Sequence, residues 1–216
     1  MSYDTTQEKR DRSIEAILTD ISDIIELDET DCIEYFNNLI LNKLHKEIPD
    51  LECWIGGGAV RDFFQHGRHL RDIDIYFPDP NHFMKARLYL TNRKNSIFMS
   101  NSNCEKIRYI RESEDINSFF DLKEEKEEYL EIDLIKIHSV SPQVTISNFD
   151  FTISSAAVTR DKFFCHRRFK EDLENKELIP LNILPNSILF RLQKMNKYGF
   201  SMKYDNLIKM TDKFLK

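Results

Sequence analysis

Two aspartates lie two residues apart in Asp72-Ile73-Asp74. On an extended chain they point from the same face, about 6 to 7 Å apart, a span that hard divalent cations can bridge through carboxylate oxygens. Two Mg²⁺ ions about 3.5 to 4 Å apart in such a site can activate an attacking oxygen and stabilise the leaving oxygen of a phosphoryl displacement. A D-x-D pattern on its own is common. A second feature lies just upstream: the apolar run at Trp54-Ile55 breaks into Gly56, Gly57 and Gly58, three of the five glycines in the chain. Helical spacing of Val60, Phe63 and Phe64 follows. A turn at Gly57-Gly58 between strand and helix lets backbone N–H groups approach a phosphate closely at the positive end of the helix dipole. Arg61 adds a formal charge one turn in. The plainer reading is an ordinary strand-to-helix turn, but the concentration of glycine favours a phosphate cradle.

A third group of carboxylates lies in residues 129 to 137, YLEIDLIKI. Its alternation predicts a strand that buries Leu130, Ile132 and Leu134, with Ile137 a further candidate, and carries Glu131 and Asp133 on the opposite face. The histidines and cysteines point to no comparable chemistry. Cys32, Cys53, Cys104 and Cys165 form no C-x-x-C pair, and no H-E-x-x-H is present, so reduced thiols, mostly buried, are expected.

Bulk properties bound the partners. The formal charge is −6 over 216 residues and the pI is near 5.6, so nucleic acid would have to be contacted through a local surface. No apolar stretch approaches the roughly 20 residues needed to span a bilayer, and the N-terminus lacks the apolar core of a secretory signal. No membrane association and a cytoplasmic location, in a cell or a virus's host, are expected.

The surrounding elements read as follows. Residues 12 to 27 place Ile14, Ile17, Leu18, Ile21 and Ile24 on one stripe, which predicts an amphipathic helix. Residues 28 to 31 offer capping side chains for a second helix through Ile33, Phe36, Ile40, Leu41 and Leu44, ending before Pro49. From Arg71 to Phe77 the alternation is that of a half-buried strand, ended by Pro78 and Pro80. Helix is expected over 81 to 90, and short strands near 98 and 108. Glu112 to Glu128 reads as a solvated charged segment. Helical segments follow after the charged run HRRFKEDLENKEL, around ILFRLQKMNKYGF and DNLIKMTDKFLK.

These residues carry a resemblance. G-G-A-V-R-D at 57 to 62, Gly67, and R-D-I-D-I at 71 to 75 resemble the first motif of the tRNA nucleotidyltransferase and poly(A) polymerase family, within the polymerase-beta-like superfamily. D-F-T-I at 150 to 153 resembles the family's R-D-F-T-I-N segment, and D-L-E-N-K-E-L at 172 to 178 its D-L-x-x-K-x-L segment. Phe149 stands where the family has Arg, and Ser154 where it has Asn. The Glu-Asp-x-x-Arg element that reads the incoming base is missing, and of the arginine-rich neck helix only Arg191, Lys194 and Gly199-Phe200 remain. The chain resembles short bacteriophage members of the family, and its end at Lys216 is expected to leave no room for the body and tail of the cellular enzymes.

The resemblance implies an α+β nucleotidyltransferase fold, a mixed central sheet flanked by helices with a short helical C-terminal neck. The expected divisions are 1–50, an N-terminal helical segment packing on the head; 51–180, the head; and 181–216, a neck fragment. It implies transfer of a nucleoside monophosphate from NTP to an acceptor hydroxyl, an RNA 3' end first of all, with Mg²⁺ or Mn²⁺ held by Asp72, Asp74 and a third carboxylate. Asp133 is preferred for that role and Glu131 is the alternative. Gly57, Gly58 and Arg61 would hold the triphosphate, while Asp150 orients Arg61 or a nucleotide hydroxyl. Lys136, Arg160, Arg167 and Arg168 are weaker candidates for phosphate or RNA contact, as are His138 and His166. The alternatives are the same chemistry on a protein or a tRNA to disable it, and a catalytically silent binding module. The retained D-x-D argues against the last, since such carboxylates repel each other without metal.

Overall fold

The structure is a computed structural model that describes residues 21–66, 72–92, 96–101, 103–110, 129–182 and 188–208. The expected helix over 12 to 20, Gly67, Arg71, the charged run 112 to 128 and the chain after 208 lie outside the described residues.

The strands are β1 (Ile24–Leu27), β2 (Trp54–Gly56), β3 (Asp72–Tyr76), β4 (Ser96–Ser100), β5 (Cys104–Ile110), β6 (Tyr129–Ile135), β7 (Ala156–Val158) and β8 (Phe163–His166). They form one eight-stranded sheet in the order β1-β8-β7-β2-β3-β6-β5-β4. Every neighbouring pair is antiparallel except β3 and β6. A parallel pair needs a long crossover, and here it contains the helix Pro80–Thr91, capped by the Asp79 carboxylate accepting from the backbone N–H groups of Asn81 and His82.

The alternation read in β3 is observed: Ile73 and Ile75 are fully buried, while Asp72, Asp74 and Tyr76 are half-buried. On β6, Leu130, Ile132 and Leu134 share that buried face. Ile137, in contrast, is 64% exposed; its odd number puts it out of phase with the buried set, and it lies beyond the end of the strand.

Two expectations at the N-terminus are corrected. Residues 24 to 27 do not continue a helix but form β1, with Ile24 opposite His166 and Leu27 opposite Phe163. Backbone pairing to an otherwise open sheet edge outweighs the local helical pattern of Ile21 and Ile24. The second helix is present as Thr30–Phe36, a π-helical turn Asn37–Leu41, and Asn42–Glu47, but no side chain caps its start; Thr30 Oγ1 donates to Asp28 Oδ1 instead. Its Phe36, Ile40, Leu41 and Leu44 join the main core with Ile73, Ile75 and Ile132. A smaller cluster of Trp54, Ile146, Ala157 and Phe164 lies on the other face of the sheet, beneath the short helix Pro142–Ser147. Trp54 Nε1 donates to Thr145 Oγ1 of that helix at 3.0 Å.

Further helices are Gly58–His66, the 3-10 turn Thr152–Ser154, Phe169–Glu174, Ile188–Lys197 and a helical stretch over 204–208. Among the described residues no helix is long and apolar enough to cross a membrane.

Candidate active site

Between β2 and the helix Gly58–His66 the chain turns at Gly57, whose φ of +76° is the left-handed conformation that an L side chain resists. Gly57 N–H donates to the Ala156 carbonyl at 3.0 Å, and the Gly57 carbonyl accepts from Arg61 N–H, starting the helix. A Cβ built at Gly57 would stand 3.8 Å from Asp74 Oδ2, so the turn and the carboxylate are neighbours. A Cβ at Gly58 would meet the Arg61 guanidinium at 3.7 Å and nothing else among the described residues. The helix therefore begins in open space.

Across the sheet the carboxylates fall into two rows. Gly56 is opposite Asp74, Asp74 opposite Asp133, and Asp133 opposite Lys106. One step along, Asp72 is opposite Glu131 and Glu131 opposite Arg108. Four acids on two parallel strands thus meet two bases on β5. Glu131 is engaged by both: Lys106 Nζ donates to Oε1, and Arg108 donates to Oε2 through Nε at 3.1 Å and Nη2 at 2.8 Å. Lys106 Nζ also stands 3.2 Å from Asp133 Oδ1.

Electrostatics separate these acids. Burial, then the neighbouring Asp133 and Asp72, pushes the Asp74 carboxyl up to about 7, against the opposing fields of Lys106 and Lys194. Burial also raises Asp133, opposed by Lys106. Glu131 is lowered: its burial is outweighed by the bonds from Lys106 and Arg108. Carboxylates that raise one another when no cation stands between them are a donor set suited to a hard divalent ion. Among the described residues, however, no three carboxylate, imidazole or thiol groups are gathered as a metal cage.

The other candidates are placed as follows. Arg61 is buried, with its guanidinium on Asp62 Oδ1, 3.6 Å from Met195 Sδ and over the Tyr198 ring. Asp150 pairs with Arg191 at 2.9 Å rather than with Arg61. Lys136 donates to Ser100 Oγ and the Asn101 carbonyl. Arg160 is exposed, and Arg167 and Arg168 pair with Asp23 and Asp172. His138 stacks edge-on against Phe83, and His166 Nδ1 accepts from Arg168 N–H.

All four cysteines are free; Cys32, Cys53 and Cys165 are buried, with burial pushing the Cys53 and Cys165 thiols up to about 12. Cys104 differs, its Sγ lying 3.9 Å from Asp133 Oδ2. Sequence reasoning missed Lys106 and Arg108, although the alternation of Lys106 and Arg108 with Ile107 in β5 was available to place both on one face.

The mixed sheet, its glycine turn and the row of acids beside it define a nucleotidyltransferase fold. Solved structures share it: an apo CCA-adding enzyme, with TM-score 0.56 at 15% identity over 88% of this chain and 46% of that one; a CCA-adding enzyme with ATP, with 0.55 at 16% over 84% and 43%; and an apo tRNA-processing enzyme, with 0.52 at 16% over 84% and 46%. The chain spans less than half the length of these structures. Residues 28–176 match the family model described as Gabija anti-defense 2, Gad2, and the chain belongs to that family. No curated protein matches it.

Proposed function

We propose that the protein transfers a nucleoside monophosphate from NTP to an acceptor hydroxyl, an RNA 3' end first of all, and releases pyrophosphate. The observation that carries this reading is the convergence of Asp72, Asp74 and Asp133 on one sheet face beside the Gly57-Gly58 turn.

In this reading Asp72 and Asp74, with Asp133 beside them, hold Mg²⁺ or Mn²⁺, which supplies charge stabilisation for the phosphoryl displacement. The open N-terminus of the helix at Gly58 receives the triphosphate. The acceptor oxygen bonds to the α-phosphorus, the bond from that phosphorus to the bridging oxygen breaks, and Asp133 takes the hydroxyl proton. Asp133 is favoured over Glu131 as third carboxylate because it is the register partner of Asp74 and Glu131 is held by two cations. Arg61, whose guanidinium stands 3.7 Å from the position of a Cβ at Gly58 while packing on Tyr198 and Met195, is at hand for the phosphates. We also take 51–180 as the head, 181–216 as the start of a neck, and 1–50 as packing on the head, a division supported by the shared core of the Thr30–Glu47 helices.

The family's anti-defense description favours a second reading, in which the same chemistry is directed at a protein or tRNA to disable it. Incubation with labelled NTPs, Mg²⁺ and a total RNA pool separates the two. Label on RNA supports the first reading. Sequenced ends are then expected to lack ordered C, C, A addition, since the base-reading element is missing. Label on protein supports the second, and absence of nucleotide binding with Mg²⁺ present overturns both.

A further inference from the structure

The two bases of β5 stand where the acid cluster would otherwise be open. Asp72, Asp74, Glu131 and Asp133 share one face of β3 and β6, with Lys106 and Arg108 next to them in the same two rows. Among the described residues of the sheet, four carboxylates are faced by two side-chain cations, so part of the acidic charge is already offset by the chain itself. Lys194 also acts on Asp74, but from the helix Ile188–Lys197 rather than from the sheet.

The geometry is asymmetric in the same sense. Lys106 hydrogen-bonds Glu131 and stands 3.2 Å from Asp133 Oδ1, so the β6 side of the cluster already has an ammonium group. No comparable ion pair to Asp72 or Asp74 is found among the described residues. The stem of Lys106 is held by a regular antiparallel register from Cys104 opposite Ile135 to Ile110 opposite Tyr129, so the ammonium is delivered by the strand itself. A lysine ammonium is a compact point charge with three donors, and here it is within reach of Glu131 and Asp133 together.

We propose that Lys106 is a positioning residue that replaces one of two metal ions: it holds Asp133 and Glu131, and the cluster takes a single divalent cation on the Asp72-Asp74 side. This rests on the nucleotidyltransferase reading above.

Titration of the full-length chain with Mn²⁺, counting free ion by electron paramagnetic resonance, tests it without any turnover. The wild type is expected to bind one Mn²⁺, lost in Asp74→Asn. Lys106→Met and Lys106→Gln, each confirmed as folded by circular dichroism, should take up a second ion or bind Mn²⁺ about tenfold more tightly. Lys106→Arg, which keeps the charge, should stay at one. Two sites in the wild type, or unchanged stoichiometry and affinity in the Met and Gln variants, overturns the role of Lys106 while leaving the nucleotidyltransferase reading standing. No Mn²⁺ uptake by any of these proteins overturns both.

Discussion

Asp74 of β3 and Asp133 of β6 are register partners across the one parallel seam among the described strands of the sheet, and Asp133 adds to the burial that raises the Asp74 carboxyl's affinity for protons. The expectations below follow from that pair and the residues around it.

Asp74 should make the metal-free protein less stable as pH rises. Its folded carboxyl titrates at about 7 against an ordinary 3.8, so between those values the native state binds more protons than the unfolded chain. Stability is then fully present below about pH 4 and falls as pH rises toward 7, by an amount on the order of a few kcal/mol. Asp74→Asn should flatten that slope, raise Tm at pH 8 without metal, and abolish nucleotide transfer. A variant that melts earlier yet retains transfer would make Asp74 a scaffold residue.

Glu131 and Asp133 should respond oppositely to amide substitution. Glu131→Gln removes the partner of Lys106 and Arg108 and should cost about 1 to 3 kcal/mol, with transfer kept within about tenfold. Asp133→Asn should instead leave stability near wild type and remove transfer. Urea melts and turnover of both variants check this; loss of transfer in Glu131→Gln alone would exchange the two roles.

The adjacent glycines should also part company. Gly57→Ala forces a Cβ into a φ of +76° and should destabilise the protein by about 1 to 2 kcal/mol. Gly58→Ala enters open space at a helix start, so Tm should be unchanged or slightly higher. Its KM for NTP should nevertheless rise, because the methyl group occupies the approach of the phosphates. Unchanged kinetics in Gly58→Ala would reduce the glycines to a turn.

Asp172 is fully buried, accepting from Thr152 Oγ1 at 2.6 Å and from Arg168 Nη2 at 2.7 Å. It ties the segment after Asp150 to the helix Phe169–Glu174. Asp172→Ala should cost about 1 to 3 kcal/mol by leaving the buried Thr152 hydroxyl, and in part Arg168, without their acceptor. Thermal melts check this, and a shift of less than 2 °C would mean that the network is dispensable.

Much of the sheet was legible in the sequence because a strand's two faces alternate with period 2. Ile73, Ile75, Ile132 and Leu134 announce their burial, and by the same token Asp72, Asp74, Glu131 and Asp133 announce a shared acidic face opposite them. Gly57 was legible too, since a positive φ after a short apolar run selects glycine. Local pattern could not pair distant strands. The parallel register that sets Asp74 against Asp133 and leaves Glu131 to Arg108 depends on a crossover of more than fifty residues. The conversion of residues 24 to 27 from helix pattern to strand depends on the open edge of β8. Arg61 shows the same division: its place one turn after the glycines is a matter of sequence. Its burial beside the turn, with the guanidinium near Gly58 and against Tyr198 and Met195, was decided only when the C-terminal helix supplied a ring and a sulfur to cover it.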